Sequence, residues 1–267
     1  MSITQFALID ATMLHYCQER TEAGTALVFI NSLGSDLRIW EGVIAAFANR
    51  HPVIGYDKRG HGLSDCPTGP YTLRDHTNDL AGLLAHVEVP NAILIGVSVG
   101  GMIALDFALR YPERVKALVL CDTGAKIGTA DYWTERIAAV RQKGLEPLAG
   151  TILTRWFSST FAQSHPAAYR GYYNMLTRTP VEGYAATCEA LRDADLRDAI
   201  HAIQIPSLVL CGDQDLATPP SLGRTLAAAL PNARFDLIEN AGHLPSLEQP
   251  AVLAAKIEQF LEGVDRG

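Results

Sequence analysis

Short apolar runs and amphipathic stretches alternate along most of the chain. Six short runs, most of them continuously apolar, are typical of strands buried on both faces of a sheet, and they cover residues 26–30, 53–56, 92–97, 115–121, 207–211 and 234–238. Ahead of them, residues 6–9 and 13–16 flank a polar turn at Asp10-Ala11-Thr12 and predict a hairpin. Apolar residues at helical spacing predict helices over residues 73–87, 99–111 and 251–261.

Strands that alternate with helices form βαβ units and a mostly parallel sheet. The pattern therefore predicts an α/β fold whose eight-stranded sheet, hairpin included, is flanked by helices. Between residues 124 and 197 no strand-like run occurs, and helical stretches carry Trp133 and Trp156. We expect a core built from residues 1–123 and 198–267, interrupted by a helical insertion (residues 124–197) that covers the core as a lid.

Composition narrows the classes of protein to which this chain can belong. The 267 residues are 48% hydrophobic and 19% charged, which is typical of a globular protein. A formal net charge of −7 argues against a nucleic-acid partner, which usually meets a basic face. No apolar stretch reaches the ~18 residues of a membrane span, and the N-terminus lacks the basic and apolar regions of a signal peptide. We expect a cytoplasmic enzyme with neither a membrane nor a nucleic-acid partner.

The cysteines give no sign of a metal or redox site. The five are scattered along the chain, and no pair has the CxxC spacing of zinc-binding or redox motifs. An odd number without a framework fits a reducing compartment. We therefore expect no metal site.

The sequence Gly96-Val97-Ser98-Val99-Gly100 follows a predicted strand and opens a predicted helix. A G-x-S-x-G motif in this context places its serine on a sharp strand-to-helix turn and predicts a nucleophile. The alternative is that Ser98 merely caps the helix.

A serine nucleophile needs a base and an acid, in the chain order serine, acid, histidine. His243 follows the last predicted strand and fits the base. The strand ending at Cys211 leads into a loop with Asp213 and Asp215, of which Asp215 lies deeper in the loop. Asp215 is our candidate acid, and Asp122, after an earlier strand, is the rival.

An oxyanion hole needs two preorganised backbone N–H groups. One is expected from Val99, the residue after the nucleophile, and the other from the loop after the 26–30 strand. That loop reads Asn31-Ser32-Leu33-Gly34-Ser35, and the N–H of Leu33 is the candidate donor. Asn31 stands where such loops commonly begin with histidine, which weakens a general lipase interpretation.

Several motifs resemble the 3-oxoadipate enol-lactonase family of the α/β-hydrolase superfamily. They include residues 29–34 (FINSLG), 36–40 (DLRIW), 56–64 (YDKRGHGLS) and 96–101 (GVSVGG), and in the insertion 155–157 (RWF), 183–185 (GYA) and 192–195 (RDAD). The resemblance covers nearly the whole chain. It implies an α/β-hydrolase fold, a triad of Ser98, Asp215 and His243, and oxyanion donors at Leu33 and Val99.

The family opens the ring of 3-oxoadipate enol-lactone to give 3-oxoadipate in the β-ketoadipate route of aromatic catabolism. The resemblance implies that reaction here, with a small anionic lactone as substrate and with neither a metal nor an organic cofactor. The rivals are a general carboxylesterase like the cofactor-free haloperoxidases, a more distant C–C bond hydrolase, and a non-catalytic small-molecule receptor on the same fold.

A carboxylate on the substrate calls for a local cation. Arg38, five residues after Leu33, is the first candidate, because a guanidinium binds a carboxylate through two parallel hydrogen bonds. Arg136 and Arg155 are further candidates, whereas Arg59 is expected to hold the loop of Asp57. Trp133 and Trp156 are candidates for the lid side of the pocket. The sequence leaves the oligomeric state open.

Overall fold

The structure, a computed structural model, describes residues 4–21 and 24–264. Its eight strands form one sheet and are β1 (Gln5–Ile9), β2 (Thr12–Glu19), β3 (Ala26–Ile30), β4 (Val53–Tyr56), β5 (Ala92–Val97), β6 (Val115–Cys121), β7 (Ser207–Gly212) and β8 (Ala233–Ile238). Their order across the sheet is β1-β2-β4-β3-β5-β6-β7-β8. The pairs β1–β2 and β2–β4 are antiparallel, and the others are parallel. The eight-stranded, mostly parallel sheet is confirmed.

The helices follow the strands in the order expected of βαβ units. They are α1 (Glu41–Phe47), α2 (Leu73–His86), α3 (Val99–Arg110), α4 (Ala130–Lys143), α5 (Glu146–Trp156), α6 (Phe161–Ser164), α7 (Pro166–Thr177), α8 (Val181–Asp193), α9 (Pro220–Ala229), α10 (Pro245–Glu248) and α11 (Pro250–Val264). Among the described residues none of these helices is long and apolar enough to cross a membrane.

The hairpin differs from its sequence prediction. Its turn is shorter than expected, because Thr12 already belongs to β2 and pairs with Ile9. Asp10 takes a φ of 51°, a left-handed conformation that Asp tolerates better than most residues. The tight turn therefore needs only Asp10 and Ala11.

Helices α4 to α8 all lie between β6 and β7, so the segment without strand pattern is helical in the structure. Within it, α4 packs along α8. The division into a core (1–123 and 198–267) and a lid (124–197) stays a prediction, and residues 1–3, 22–23 and 265–267 of the core ranges lie outside the described residues.

The centre of the sheet positions the site. Every residue of β3 and β5 is buried, as their unbroken apolar runs predict. In a parallel sheet the carboxyl ends of the strands meet at one edge, where ligands bind in open α/β folds. At this edge the chain leaves β3 at Asn31, β5 at Ser98, β7 before Asp215 and β8 before His243.

Candidate active site

Ser98 lies on a strained turn between β5 and α3. Its φ is 60° and its ψ is −122°, values that a non-glycine residue adopts only when its surroundings impose them. The turn needs both flanking glycines: a Cβ on Gly96 would lie 2.3 Å from the Gly100 carbonyl oxygen, and a Cβ on Gly100 would lie 2.3 Å from the Ile30 carbonyl oxygen. The Ser98 side chain makes no capping hydrogen bond, so the alternative of a mere helix cap does not hold.

His243 and Asp215 form a buried pair next to the Ser98 turn. His243 Nδ1 lies 3.0 Å from Asp215 Oδ2, and both residues are at most 2% exposed. Asp215 Oδ1 accepts hydrogen bonds from the N–H groups of Ala217 (2.7 Å) and Thr218 (3.0 Å). Since Nδ1 faces the carboxylate, Nε2 is the nitrogen left for Ser98. His243 and Ser98 line the same cavity, although no hydrogen bond joins them within the described residues.

The pKa of Asp215 reflects this pairing. Burial alone would raise it, but the charge of His243 and the hydrogen bonds from His243 and Thr218 hold the pKa of Asp215 below its ordinary value. Asp215 therefore stays ionised at neutral pH. An ionised carboxylate fixes the tautomer of the imidazole and stabilises the imidazolium that forms when Nε2 takes a proton.

Asp122, the rival acid, occupies a different position. Its Oδ1 accepts the N–H of Gly212 at 2.8 Å, while its Oδ2 is buried without a partner among the described residues. Burial and the nearby negative charge of Asp215 raise the pKa of Asp122 well above its ordinary value. The carboxylate that pairs with His243 Nδ1 is that of Asp215, and no hydrogen bond joins Asp122 to His243 among the described residues.

The two candidate oxyanion donors lie on adjacent segments. Gly100 packs against the backbone of Ile30 and Asn31, and this contact brings the loop after β3 against the Ser98 turn. Leu33 lines the cavity beside Ser98, and Val99 is the first residue of α3. Among the described residues neither the Leu33 N–H nor the Val99 N–H donates a hydrogen bond to the protein. Both are therefore available to an oxyanion.

The cavity above Ser98 has a volume of about 290 Å³, which suits a small substrate. Trp133 and Trp156 both line it, and their side chains are mostly buried. Trp133 Nε1 donates to the carbonyl of Ile127 at 2.6 Å, so the indole N–H is already used within the protein. The two tryptophans thus offer apolar walls rather than hydrogen bonds.

Two guanidinium groups line the same cavity, and Tyr132 holds both of them. The Tyr132 hydroxyl accepts from Arg136 at 2.9 Å and from Arg155 at 3.3 Å, and both guanidiniums lie over its ring. Their other protein partners are the Tyr184 hydroxyl and the carbonyl of Ala217. Within the described residues no carboxylate pairs with Arg136 or Arg155, so two cationic groups face the cavity without a counterion.

Arg38 does not reach this cavity, which corrects the sequence-based expectation. Its guanidinium makes two hydrogen bonds to Asp36, at 2.8 and 2.6 Å, and its side chain is 65% exposed. It lines a second, larger cavity of about 740 Å³ beside β2 and α7. Because its guanidinium is bonded to Asp36, two residues earlier, the Arg38 side chain does not extend towards Ser98.

Arg59 also differs from its prediction. It pairs with Asp79 of α2 through two hydrogen bonds of 2.6 Å, not with the Asp57 loop. Asp57 is instead held by His15 Nδ1 at 2.7 Å and by the N–H groups of Leu37 and Leu63.

One group of potential metal ligands occurs within residues 4–21 and 24–264: Asp122, Cys211 and Asp215, whose ligand atoms lie within 4.8 Å of one another. Both oxygens of Asp215 are already hydrogen-bonded, and burial and the charge of Asp122 raise the pKa of the Cys211 thiol. A metal needs the thiolate. These three side chains are therefore poorly suited to bind a metal ion, and Asp215 is better explained as the hydrogen-bond partner of His243.

Thr218 and Tyr132 contribute to the site but were not predicted from the sequence. The Thr218 hydroxyl lies 2.6 Å from Asp215 Oδ2, 3.1 Å from His243 Nδ1 and 2.8 Å from the Asp122 carbonyl oxygen. Its spacing three residues after Asp215 is typical of a local turn and could have indicated the contact. Nothing in the local sequence distinguishes Tyr132 from the packing aromatics around it.

Comparison with known proteins assigns this fold and site to a class. A family model described as the alpha/beta hydrolase fold matches residues 25–250. Since that match covers most of the chain, the chain belongs to the α/β-hydrolase family and is an ester-hydrolysing enzyme.

Individual relatives define the family more narrowly. The chain is 38% identical to 3-oxoadipate enol-lactonase 2 of Acinetobacter baylyi, over 89% of this chain and 88% of the relative. It is 33% identical to 3-oxoadipate enol-lactonase 1 of the same organism, over 91% of each. A crystal structure of the enol-lactonase from Burkholderia xenovorans LB400 matches with a TM-score of 0.94 and 35% identity, over 97% of this chain and 100% of that one. Within the α/β hydrolases, the chain therefore belongs to the 3-oxoadipate enol-lactonase family.

Proposed function

We propose that the protein opens the ring of 3-oxoadipate enol-lactone to give 3-oxoadipate, in the β-ketoadipate pathway. The observation that carries this proposal is the pair of guanidiniums in the cavity of Ser98, Arg136 and Arg155, for which residues 4–21 and 24–264 supply no carboxylate partner. Both guanidiniums are half-buried, and cations drawn partly out of water are favourable partners for a ligand that supplies the opposite charge. The lactone carries one carboxylate on its side chain, and the printed names of the relatives point to the same substrate.

Chemistry at the ring begins at Ser98. His243 Nε2 takes the proton of Ser98 Oγ while the oxygen attacks the ring carbonyl. The N–H groups of Leu33 and Val99 donate to the oxyanion of the tetrahedral intermediate. Collapse of that intermediate breaks the ring C–O bond and leaves an acyl group on Ser98.

The leaving group of an enol-lactone assists the reaction. The oxygen departs as an enolate, which is a better leaving group than an alkoxide and becomes a ketone after it takes up a proton on carbon. General-acid help from His243 is therefore less important in this step than in the hydrolysis of a simple ester. The imidazolium of His243 gives the proton it took from Ser98 to the departing enolate and is then neutral again. His243 Nε2 next removes a proton from water, whose oxygen attacks the acyl carbonyl, and collapse of this second intermediate releases 3-oxoadipate while His243 returns the proton to Ser98 Oγ.

The side-chain carboxylate orients the ring for this attack. Arg136 and Arg155 reach the cavity from α4 and α5, whereas Ser98 and His243 lie on the sheet side. A carboxylate held by the guanidiniums places the ring between the two sides, with apolar walls from Trp133 and Trp156 around it. Holding the reacting groups in this way lowers the entropic part of the barrier.

The test compares two substrates with the wild-type protein. Turnover of freshly generated 3-oxoadipate enol-lactone is followed by its loss of ultraviolet absorbance, with the neutral ester 4-nitrophenyl acetate assayed in parallel. We expect kcat/KM for the lactone to exceed kcat/KM for the ester by at least about 100-fold. This factor corresponds to the free energy, about 3 kcal/mol, that hydrogen bonds between a guanidinium and the substrate carboxylate contribute. Strong ester turnover without lactone preference would indicate a general carboxylesterase. Binding of lactone without turnover would indicate a receptor.

A further inference from the structure

A buried lysine contacts the loop that carries the oxyanion donor. Lys58, in the loop after β4, is 0% exposed, and its Nζ donates to the carbonyl of Ser32 at 2.6 Å. A second, longer contact of 3.5 Å joins Nζ to the carbonyl of Ser35. The amine is the one polar group of this side chain; it points at the backbone of residues 31–35 and pairs with no carboxylate of the described residues.

The carbonyl of Ser32 and the N–H of Leu33 belong to one peptide group. This peptide is trans, so its C=O and N–H point in opposite directions within one plane. The hydrogen bond from Lys58 therefore holds the edge of the peptide opposite to the Leu33 N–H. Any rotation that turned the Leu33 N–H away from the oxyanion position would also break the contact with Lys58 Nζ.

We infer that Lys58 is a positioning residue of the reaction, which holds the Ser32–Leu33 peptide so that the Leu33 N–H points at the oxyanion. The inference rests on the role of Leu33 in the proposed function. It adds a residue that touches neither the substrate nor Ser98 and acts only through the peptide it holds.

Neighbouring contacts support the same peptide. The Ser35 hydroxyl donates to the Ser32 carbonyl at 2.9 Å, and the Ser35 N–H lies 3.3 Å from that oxygen. The Gly34 N–H donates to Nε2 of the buried His61 at 3.0 Å. Several donors on one carbonyl polarise the peptide and make its N–H a stronger donor, since hydrogen bonds in a chain reinforce one another.

The environment of Lys58 fits positioning better than charge pairing. Burial lowers the pKa of Lys58 well below its ordinary value, although the negative charges of Asp57 and Asp36 oppose that shift. In either protonation state the amine has at least two N–H bonds, which is enough for its two carbonyl acceptors. Because keeping an amine out of water is costly, its presence here calls for a compensating role.

The experiment uses Lys58→Met, which keeps the length of the side chain and removes its donors. With 4-nitrophenyl acetate we expect kcat to fall about 10- to 100-fold, below the loss caused by deleting an oxyanion donor outright. KM should stay within about twofold, because the oxyanion exists only after attack. Lys116→Met is the matched control: it makes the same change on an exposed residue of β6 and should leave kcat unchanged.

Two further readouts separate positioning from a loss of structure. The affinity for butylboronic acid, which forms a tetrahedral adduct with an active-site serine, should fall with kcat, whereas the melting temperature should not fall. Ser35→Ala removes a weaker donor to the same carbonyl and should lower kcat about threefold. If Lys58→Met does not fold, Ser35→Ala decides the matter.

The inference would be overturned if Lys58→Met kept the kcat and the boronate affinity of the wild type. If Lys58→Met does not fold, an unchanged kcat in Ser35→Ala would overturn it. A fall in kcat that is fully accounted for by a smaller folded fraction would overturn it too. Ser98→Ala on the same ester keeps this separate from the proposed function. Ester turnover by Ser98→Ala refutes the nucleophile, whereas an inactive Ser98→Ala beside a fully active Lys58→Met refutes only the role of the lysine.

Discussion

The two unpaired guanidiniums in the Ser98 cavity give the sharpest prediction about substrate choice. Replacing Arg155 with Met keeps most of the apolar volume of the side chain and removes its charge. Among the described residues Arg155 donates hydrogen bonds to the Tyr132 hydroxyl and the Ala217 carbonyl and pairs with no carboxylate, so the substitution leaves no buried carboxylate without its partner. The substitution therefore tests ligand binding with little disturbance of the fold.

The expected magnitude follows from the hydrogen bonds that the substrate carboxylate loses. A hydrogen bond to a charged group contributes about 1.5–3 kcal/mol, and 1.4 kcal/mol corresponds to a factor of ten. Arg136 remains at 2.9 Å from Tyr132 and retains part of the binding. We expect Arg155→Met to lower kcat/KM for the lactone about 10- to 100-fold, and Arg155→Met with Arg136→Met to lower it further.

The assay compares the lactone with the methyl ester of its side-chain carboxylate. Both substrates present the same ring to Ser98, but only the first carries the negative charge. Turnover of the neutral substrate should change by less than about threefold in Arg155→Met, because the guanidinium has no charged group to bind. Absorbance loss of the enol-lactone chromophore measures both.

Arg38→Met is the matched control for this assay. Arg38 is bonded to Asp36 and is 65% exposed on the second cavity, so its loss should leave kcat/KM of both substrates within about twofold. Equal losses for the charged and the neutral substrate in Arg155→Met would refute the anchoring role. So would a larger effect of Arg38→Met than of Arg155→Met.

Three other substitutions test the site and its support. Asp215→Asn should lower kcat about 10⁴-fold while the melting temperature changes little, because His243 loses the carboxylate that holds its reactive tautomer. Steady-state ester kinetics measure kcat, and a loss below about tenfold would contradict the role of Asp215. Gly100→Ala should lower the free energy of unfolding in urea by about 1–3 kcal/mol, because its Cβ would lie 2.3 Å from the Ile30 carbonyl oxygen. An unchanged urea midpoint would argue against that close contact. The pKa of Asp122 is higher in the folded protein than in the unfolded chain, where it is near 4. Asp122 therefore contributes its full share to the free energy of unfolding below about pH 4, and this share is lost as the pH rises through the pKa of the folded state. Relative to wild type, Asp122→Asn should therefore gain stability as pH rises from about 4 to 8, and unfolding free energies that stay parallel across this range would contradict the assignment.

The strands and the tight turn at Ser98 were predictable from the sequence because their signals are local. A continuous apolar run such as Ala26–Ile30 indicates a strand buried on both faces, and the glycines around Ser98 indicate the tight turn that its φ of 60° requires. The pairing of Asp215 with His243 followed from chain order, since parallel strands deliver both loops to the same edge of the sheet.

Partners of long charged side chains were not predictable in the same way. Arg38 and Arg59 were each assigned by sequence proximity to the wrong role: Arg38 is held by Asp36, and Arg59 reaches Asp79 twenty residues away. A flexible guanidinium takes whichever carboxylate the fold brings within reach, and that choice is tertiary. The burial of Lys58 was not predictable for the same reason, because it depends on a tertiary contact with the loop after β3.

If Ser98 attacks the carbonyl of the enol-lactone, its hydroxyl is indispensable, and turnover of that lactone is best compared between Ser98→Ala and the wild-type protein. Both are followed by the loss of ultraviolet absorbance, with near-equal melting temperatures showing that the variant is folded. We expect rapid turnover by the wild type and a loss of several orders of magnitude in Ser98→Ala, since only binding and oxyanion terms would remain. Comparable turnover by the two proteins would contradict the attack by Ser98.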